Sequence, residues 1–256
     1  MEPAVRRRVE VLGVGVDPLT ADALEAEIAR FVREGRRATV LNVNAHCLNL
    51  ACRNGRLRAA LRRADLVFCD GEGVRLAARL LGERLPERIT YADWVWRLAG
   101  LAAARGFSVY LLGARPGVAA EAARRLRERH PRLRVAGAHH GYFDRRPGSP
   151  ENEEVVRRVN AADPDILLVG FGMPEQELWL LENRGRLTAR VALTCGAALD
   201  YASGRLRRGP RLLTENGLEW LARLAVEPRR LWRRYLVGNP LFVLRVLRWR
   251  LGGGRR

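Results

Sequence analysis

The strongest constraint on this chain is an alternation. Short apolar runs trade places with longer stretches of helical periodicity from Val9 to Cys195. Val9–Val16 reads as a first strand, and Thr20–Glu34 as an amphipathic helix with Leu24, Ile28 and Phe31 on one face. Thr39–Asn44 reads as a second strand, followed by one helical stretch to Arg63, and Leu66–Cys69 as a third. Further strands are predicted at Val109–Gly113, Leu133–Ala138, Ile166–Gly170 and Val191–Cys195. The helices between them are Tyr91–Arg105, Gly117–Arg129, Glu151–Asn160 and Pro174–Glu182. Strands spaced by helices of this length predict βαβ units. The fold class is therefore α/β, Rossmann-like, with a mostly parallel sheet covered by helices on both faces.

The pattern changes near Gly204. Residues 1–204 form the predicted α/β body, and 205–256 a basic helical appendage with no strand pattern. The appendage holds 14 Arg against three acidic residues, +11 of the chain's net +18. Two or three helices are expected there, punctuated by Pro210, Pro228 and Pro240. Every one of the 46 cationic residues is Arg, whose planar fork suits phosphates and carboxylates. Polyanionic partners follow: nucleotide diphosphates, nucleic acid or anionic headgroups. In the appendage Arg alternates with Leu, Trp, Tyr and Phe, which suits an anionic membrane surface. Packing on the body, or against a second copy in a homo-oligomer, is the competing reading.

No apolar run approaches the roughly 20 residues a spanning helix needs. No signal peptide precedes the first strand. Cys47, Cys52, Cys69 and Cys195 form no CxxC pair, and the four histidines lack metal-ligand spacing. Reduced, buried thiols are expected, hence a cytoplasmic protein or one attached peripherally to the membrane's inner face. The GxGxxG of NAD-binding folds is absent, as is any RNA- or DNA-reading motif, so no nucleic-acid partner is expected.

In an open parallel sheet, ligands bind at the carboxyl ends of the strands. Those ends offer Asn42, Asn44 and His46, then Asp70-Gly71, then Gly113, Arg115 and Gly117. "GYFD" follows with Gly141 and Tyr142, then "VGFGMPEQE" with Gly172, Pro174, Gln176 and Glu177, and finally Gly196 and Asp200. Glycines at strand-to-helix turns let backbone N–H groups approach a phosphate. Glu177 also suits an acidic first turn. The Gln176 amide suits the edge of a uracil or a sugar. Asp70 has two readings on local sequence: an N-cap for the following helix, or a carboxylate base in the cleft.

Several motifs, in order and at fixed spacing, resemble the WecG/TagA/CpsF family of bacterial glycosyltransferases. They are "ADLVFCDGEGV", "LPERI", "GYF", "PDILLVGFGMPEQE", "GAALDYASG" with "RRGP", and "GLEWLARLAVEPRRLWRR". The likeness spans Val9 to about Phe242. It implies an inverting, metal-independent and cofactor-free transfer of a sugar from a UDP-sugar donor, often of N-acetylmannosamine type. The acceptor it implies is polyprenyl-diphosphate-linked, and the products enter teichoic acid, common antigen or capsular polysaccharide. It also implies an appendage that sits at the membrane and helps complete the active site.

By position, Asp70 matches the family's proposed general base. Asn44, Gln176, Asp200 and Arg208 match substrate-binding positions, as does Arg88 of "LPERI". Arg223, Arg230 and Arg233 match the arginines expected to hold the diphosphate. The chain departs from the family at Asn42-Val43-Asn44, Glu175, Thr90-Tyr91-Ala92-Asp93 and Arg208-Gly209-Pro210. These positions would line the donor-sugar pocket, so UDP-glucose or another UDP-hexose stands beside the N-acetylmannosamine donor.

Overall fold

A computed structural model describes residues 7–210, 213–214 and 217–252. The ends of the predicted body and appendage, 1–6 and 253–256, and tail residues 211–212 and 215–216 lie outside the described residues.

The centre is a six-stranded sheet, all parallel, in the order β4-β3-β8-β7-β5-β6. Its strands are β3 (Ala38–Val43), β4 (Leu66–Cys69), β5 (Ser108–Gly113), β6 (Arg134–His139), β7 (Ile166–Gly170) and β8 (Val191–Thr194). The inner strands alternate strictly between two cores, as period-2 geometry requires. Leu41, Val43, Leu167, Val169 and Ala192 face one cluster. Val40, Ile166, Leu168, Val191 and Leu193 face the other. The first cluster lies under α2 (Ala45–Ala51), α3 (Gly55–Arg63), α4 (Glu72–Leu80), α7 (Pro150–Ala162) and α8 (Glu175–Asn183). The second lies under α1 (Ala21–Arg33), α5 (Tyr91–Arg105), α6 (Val118–Arg129) and α9 (Ala198–Ala202).

Local chemistry sets the helix ends. Thr20 Oγ1 accepts from the Ala23 N–H to start α1, and Ser149 caps α7 with Pro150 at its first position. The single helix expected between Asn44 and Arg63 is two. Asn44 caps α2 through the Cys47 N–H, and Asn54 caps α3 through the Leu57 N–H.

The expected first strand, Val9–Val16, is a hairpin that does not join the main sheet. β1 (Val9–Val11) pairs antiparallel with β2 (Val14–Val16). Leu12 and Gly13 both have positive φ, 53° and 79°, as a two-residue hairpin turn demands. The usual Asn-Gly signal is missing because Leu12 is buried in the core, so the periodicity ran through the turn unbroken.

The tail forms α10 (Glu219–Val226), α11 (Pro228–Trp232), a π-helical turn (Arg233–Val237) and α12 (Gly238–Leu251). Pro228 opens a helix, as expected. Pro240 does not end one; it sits in the first turn of α12. It has no N–H to give Leu236, and its ring would crowd that carbonyl. The wide π turn just before it takes up the mismatch. Phe242 and Val246 of α12 are 2% and 1% exposed and belong to the first core with Val74 and Ala77. Asn49 of α2 donates to the Gly238 carbonyl at 2.7 Å, and Arg245 donates back to Asn49 Oδ1 at 2.7 Å.

Candidate active site

The carboxyl ends of the sheet open into a cleft of about 1240 Å³, closed on its far side by the tail helices. Asp70 lies at its inner end. The Asp70 N–H donates to the Val43 carbonyl at 2.9 Å, so the strand ladder carries one residue past β4. The N-cap position of α4 is Gly71, and no side chain caps that helix. Asp70 is therefore not an N-cap.

Its carboxylate is held across three strands. Asn42 Nδ2 donates to Asp70 Oδ2 at 2.8 Å, and Thr194 Oγ1 donates to Asn42 Oδ1 at 2.9 Å. Asn42 is only 2% exposed, so its orientation is locked. Burial pushes the Asp70 pKa up to about 7, and the carboxylate of Glu219 on α10 adds to the rise. Arg223, the Asn42 hydrogen bond and Arg234 oppose it. The result is a carboxylate whose pKa lies near neutral pH, the range in which a general base would be most effective.

The cleft collects many of the residues anticipated from sequence. Asn42, Asn44, Gly141, Tyr142, Gly172 and Asp200 line it, as do Arg223, Arg230 and Arg233. Asp200 accepts from Arg205 at 3.1 Å, and burial raises its pKa. Arg230 is exposed and pairs with Glu227; Arg233 is exposed and stacks on Trp232 at 5.2 Å. Gly71 and Arg88 line a second, adjoining cavity.

Other anticipated residues do not reach the cleft. Gln176 is fully buried beneath it. Its amide oxygen accepts from the N–H groups of Gly196 at 3.0 Å and Gly172 at 3.3 Å, and its NH₂ donates to Glu177 at 2.7 Å. It ties together the turns after β7 and β8. Glu177 is buried too, and burial pushes its pKa up to about 8. Pro174 is the residue before α8. Gly113 sits where β5 meets β7, and a Cβ there would stand 2.4 Å from the Gly170 carbonyl oxygen. Arg208 lines neither cavity; it joins Asp93 on α5 to Glu219 on α10.

Two residues with no assigned role, Glu219 and Arg234, stand near Asp70, and a third, His46, stands near Arg234. Glu219 and Arg234 come from the tail, where a string of arginines hides which one turns inward. Counting 3.6 residues per turn fails across Glu227-Pro228 and the π turn, so Arg234 takes the inner place and Arg233 the outer. Burial lowers the Arg234 pKa, and its Nε has no hydrogen-bond partner. His46 is half-buried on α2; burial, then Arg234, push its pKa down to about 4. A neutral imidazole thus faces the junction of both cavities. Among the described residues, no three His, Cys, Asp or Glu side chains cluster as a metal site.

The family model described as "Glycosyl transferase WecG/TagA/CpsF family" matches residues 9–256. The chain belongs to this family. Two similar proteins carry the name N-acetylglucosaminyldiphosphoundecaprenol N-acetyl-beta-D-mannosaminyltransferase. The protein from Bacillus spizizenii (strain W23) is 30% identical, covering 89% of this chain and 88% of its own length. That from Staphylococcus aureus (strain MRSA252) is 27% identical, covering 93% and 92%. As a WecG/TagA/CpsF member the chain is a glycosyl transferase, and its sheet-edge cleft is the candidate place for that chemistry.

Proposed function

We propose that this glycosyl transferase moves a sugar of the N-acetylmannosamine type from a UDP-sugar to a polyprenyl-diphosphate-linked N-acetylglucosamine, with inversion and without a metal. The observation that carries the reading is Asp70: a locked carboxylate with a pKa near neutrality, at the inner end of an arginine-lined cleft. The names of the relatives supply the sugar and the acceptor.

The chemistry follows from the geometry. UDP lies across the turns after β7 and β8, which Gln176 holds from beneath, and the arginines lining the cleft suit its diphosphate. Asp70 takes the proton from an acceptor hydroxyl. That oxygen attacks the anomeric carbon opposite UDP. Arg223, Arg230 and Arg233 offset the charge growing on the leaving diphosphate, the work a metal does elsewhere.

The acceptor's lipid places the reaction at a membrane. Among the described residues no helix is long and apolar enough to cross one. The tail instead exposes Leu236, Val237, Leu244 and Leu251 among arginines. This suits peripheral attachment at the inner face, with arginine at phosphate depth.

The test is UDP release from a panel of UDP-sugars, including UDP-N-acetylmannosamine and UDP-glucose, with a short-chain polyprenyl-diphosphate N-acetylglucosamine acceptor. Acceptor-dependent release with the N-acetylmannosamine donor is expected. Release with another hexose alone would correct the donor. No release from folded protein would overturn the reading.

A further inference from the structure

The cleft has a neighbour. A second cavity of about 390 Å³ lies between α4 and α12. Asn44, His46, Asp70, Thr90, Glu219, Arg223 and Arg234 line both spaces. Asp70 therefore stands in a throat between two openings of different chemistry.

We propose that the donor fills the wide cleft while the acceptor enters through the α4/α12 groove, its diphosphate at the arginine-lined inner end and its prenyl chain along the apolar walls. This rests on the transferase reading above and adds a route to it.

The groove changes character along its length. At the Asp70 end it holds Arg88, Arg223 and Arg234. Arg88 spends one N–H on the Thr214 carbonyl at 2.7 Å. Among the described residues neither Arg223 nor Arg234 is ion-paired with a carboxylate, and Arg234 Nε is buried without a partner. Arg234, with that unpartnered Nε, and Arg223 beside it are the guanidinium groups placed to take the oxygens of a phosphate.

Farther along α4 the lining becomes Leu76, Ala77 and Leu80, faced by Phe242, Val243 and Val246 of α12. α4 is nine residues long, about 13 Å at 1.5 Å per residue. Charge at one end and hydrocarbon at the other match a diphosphate joined to a polyprenyl chain. Leu76 and Val243 are partly exposed at the walls, and Leu244 and Leu247 carry the apolar surface onward from α12.

The arrangement also answers a requirement of inversion. Nucleophile and leaving group must lie on opposite sides of the anomeric carbon. Two openings that meet at Asp70 bring them from different directions.

The first experiment is photolabelling of the full chain in detergent by farnesyl diphosphate carrying a terminal benzophenone, read by peptide mass spectrometry. Label is expected within residues 76–80 and 242–246. Unmodified farnesyl diphosphate should compete it away, whereas farnesol and phosphatidylglycerol vesicles should not. Label confined to the outer tail surface, or competed equally by phosphatidylglycerol, would overturn the route. This readout needs no sugar transfer, so a failed donor assignment leaves it decisive.

The second compares acceptors. Val243→Glu puts a carboxylate in the groove wall at a partly exposed position. KM for a long-chain acceptor should rise about tenfold or more relative to KM for a methyl-diphosphate acceptor, the size expected from spoiling one apolar contact. Equal effects on both acceptors would overturn the route.

Discussion

Asn42 donates its side-chain N–H to Asp70 across adjacent strands at 2.8 Å, and its own carbonyl is held by Thr194. The carboxylate in the cleft thus has one oxygen fixed by the sheet and the other left for chemistry. Asp70→Asn keeps the shape and removes the proposed base. Turnover should fall by about 10²–10⁴, the span for losing a general base. UDP affinity, measured by calorimetry, should stay within about threefold. Full activity in this variant would remove Asp70 from its role.

The pH profile carries a sign. In the proposed mechanism Asp70 works deprotonated, and burial with Glu219 holds its pKa up at about 7. Transfer should therefore rise with pH through about 7 and flatten above it. Glu219→Gln removes a negative neighbour, so the midpoint should move to lower pH. A profile flat from pH 5 to 8, or a midpoint moving upward in the variant, contradicts the assignment.

Glu177 gives a stability test free of catalysis. Its pKa stands at about 8, raised from the ordinary carboxylate range by burial. The folded state holds this proton more tightly than the unfolded chain does. Stability from this group is full below about pH 4.5 and is lost as pH climbs toward 8. Glu177→Gln should match the parent near pH 4.5 and exceed it at pH 8, by a Tm difference on the order of a few °C. A difference independent of pH would mean that Glu177 is ionised in the fold.

Truncation is a poor test of the tail. Phe242 and Val246 belong to the core, and losing them costs about 1.5–3 kcal/mol each before any membrane effect. Leu251, 86% exposed, and Leu244 are better probes. Leu244→Glu with Leu251→Glu should cut binding to phosphatidylglycerol liposomes at least about tenfold while Tm moves little. Unchanged sedimentation with liposomes would place the membrane contact elsewhere.

The arginines can be separated by burial. Arg234→Gln, beside Asp70, should lower turnover about 10–100-fold, the loss of an electrostatic contact to the reacting groups. Arg208→Gln should act mainly through the fold, because that guanidinium bridges Asp93 and Glu219 and lines neither cavity. A lower Tm with UDP affinity kept is the outcome to check. Weaker UDP binding at unchanged Tm would restore Arg208 to the substrate.

Much of the fold was legible because the strands are buried on both faces and so stand out as apolar runs. Leu66–Cys69, Ile166–Gly170 and the helix Tyr91–Arg105 fall where periodicity puts them. The hairpin was not legible, because buried Leu12 takes the place of a polar turn residue. The strand-end residues were legible as a set, since a parallel sheet gathers its carboxyl ends along one edge. What each side chain does there was not. Gln176 and Asp200 look alike as polar groups after a strand, yet one holds turns from beneath and the other lines the cleft. Asp70 could be told from a cap only once Gly71 was seen to hold the N-cap position of α4, with no side chain capping that helix. Arg233 and Arg234 are adjacent, and only the π turn decides between them.

The hydrogen-bonded series Thr194–Asn42–Asp70 also depends on strand pairing. Asn42 lies opposite Phe68 on β4, and Val40 opposite Leu193 on β8. A slip of one residue in either pairing would turn Asn42 to the opposite face and leave the carboxylate without its donor. Catalytic competence is thereby a direct reporter of native register at the centre of the sheet. A compact chain with all its helices formed but its middle strands misaligned would be inert.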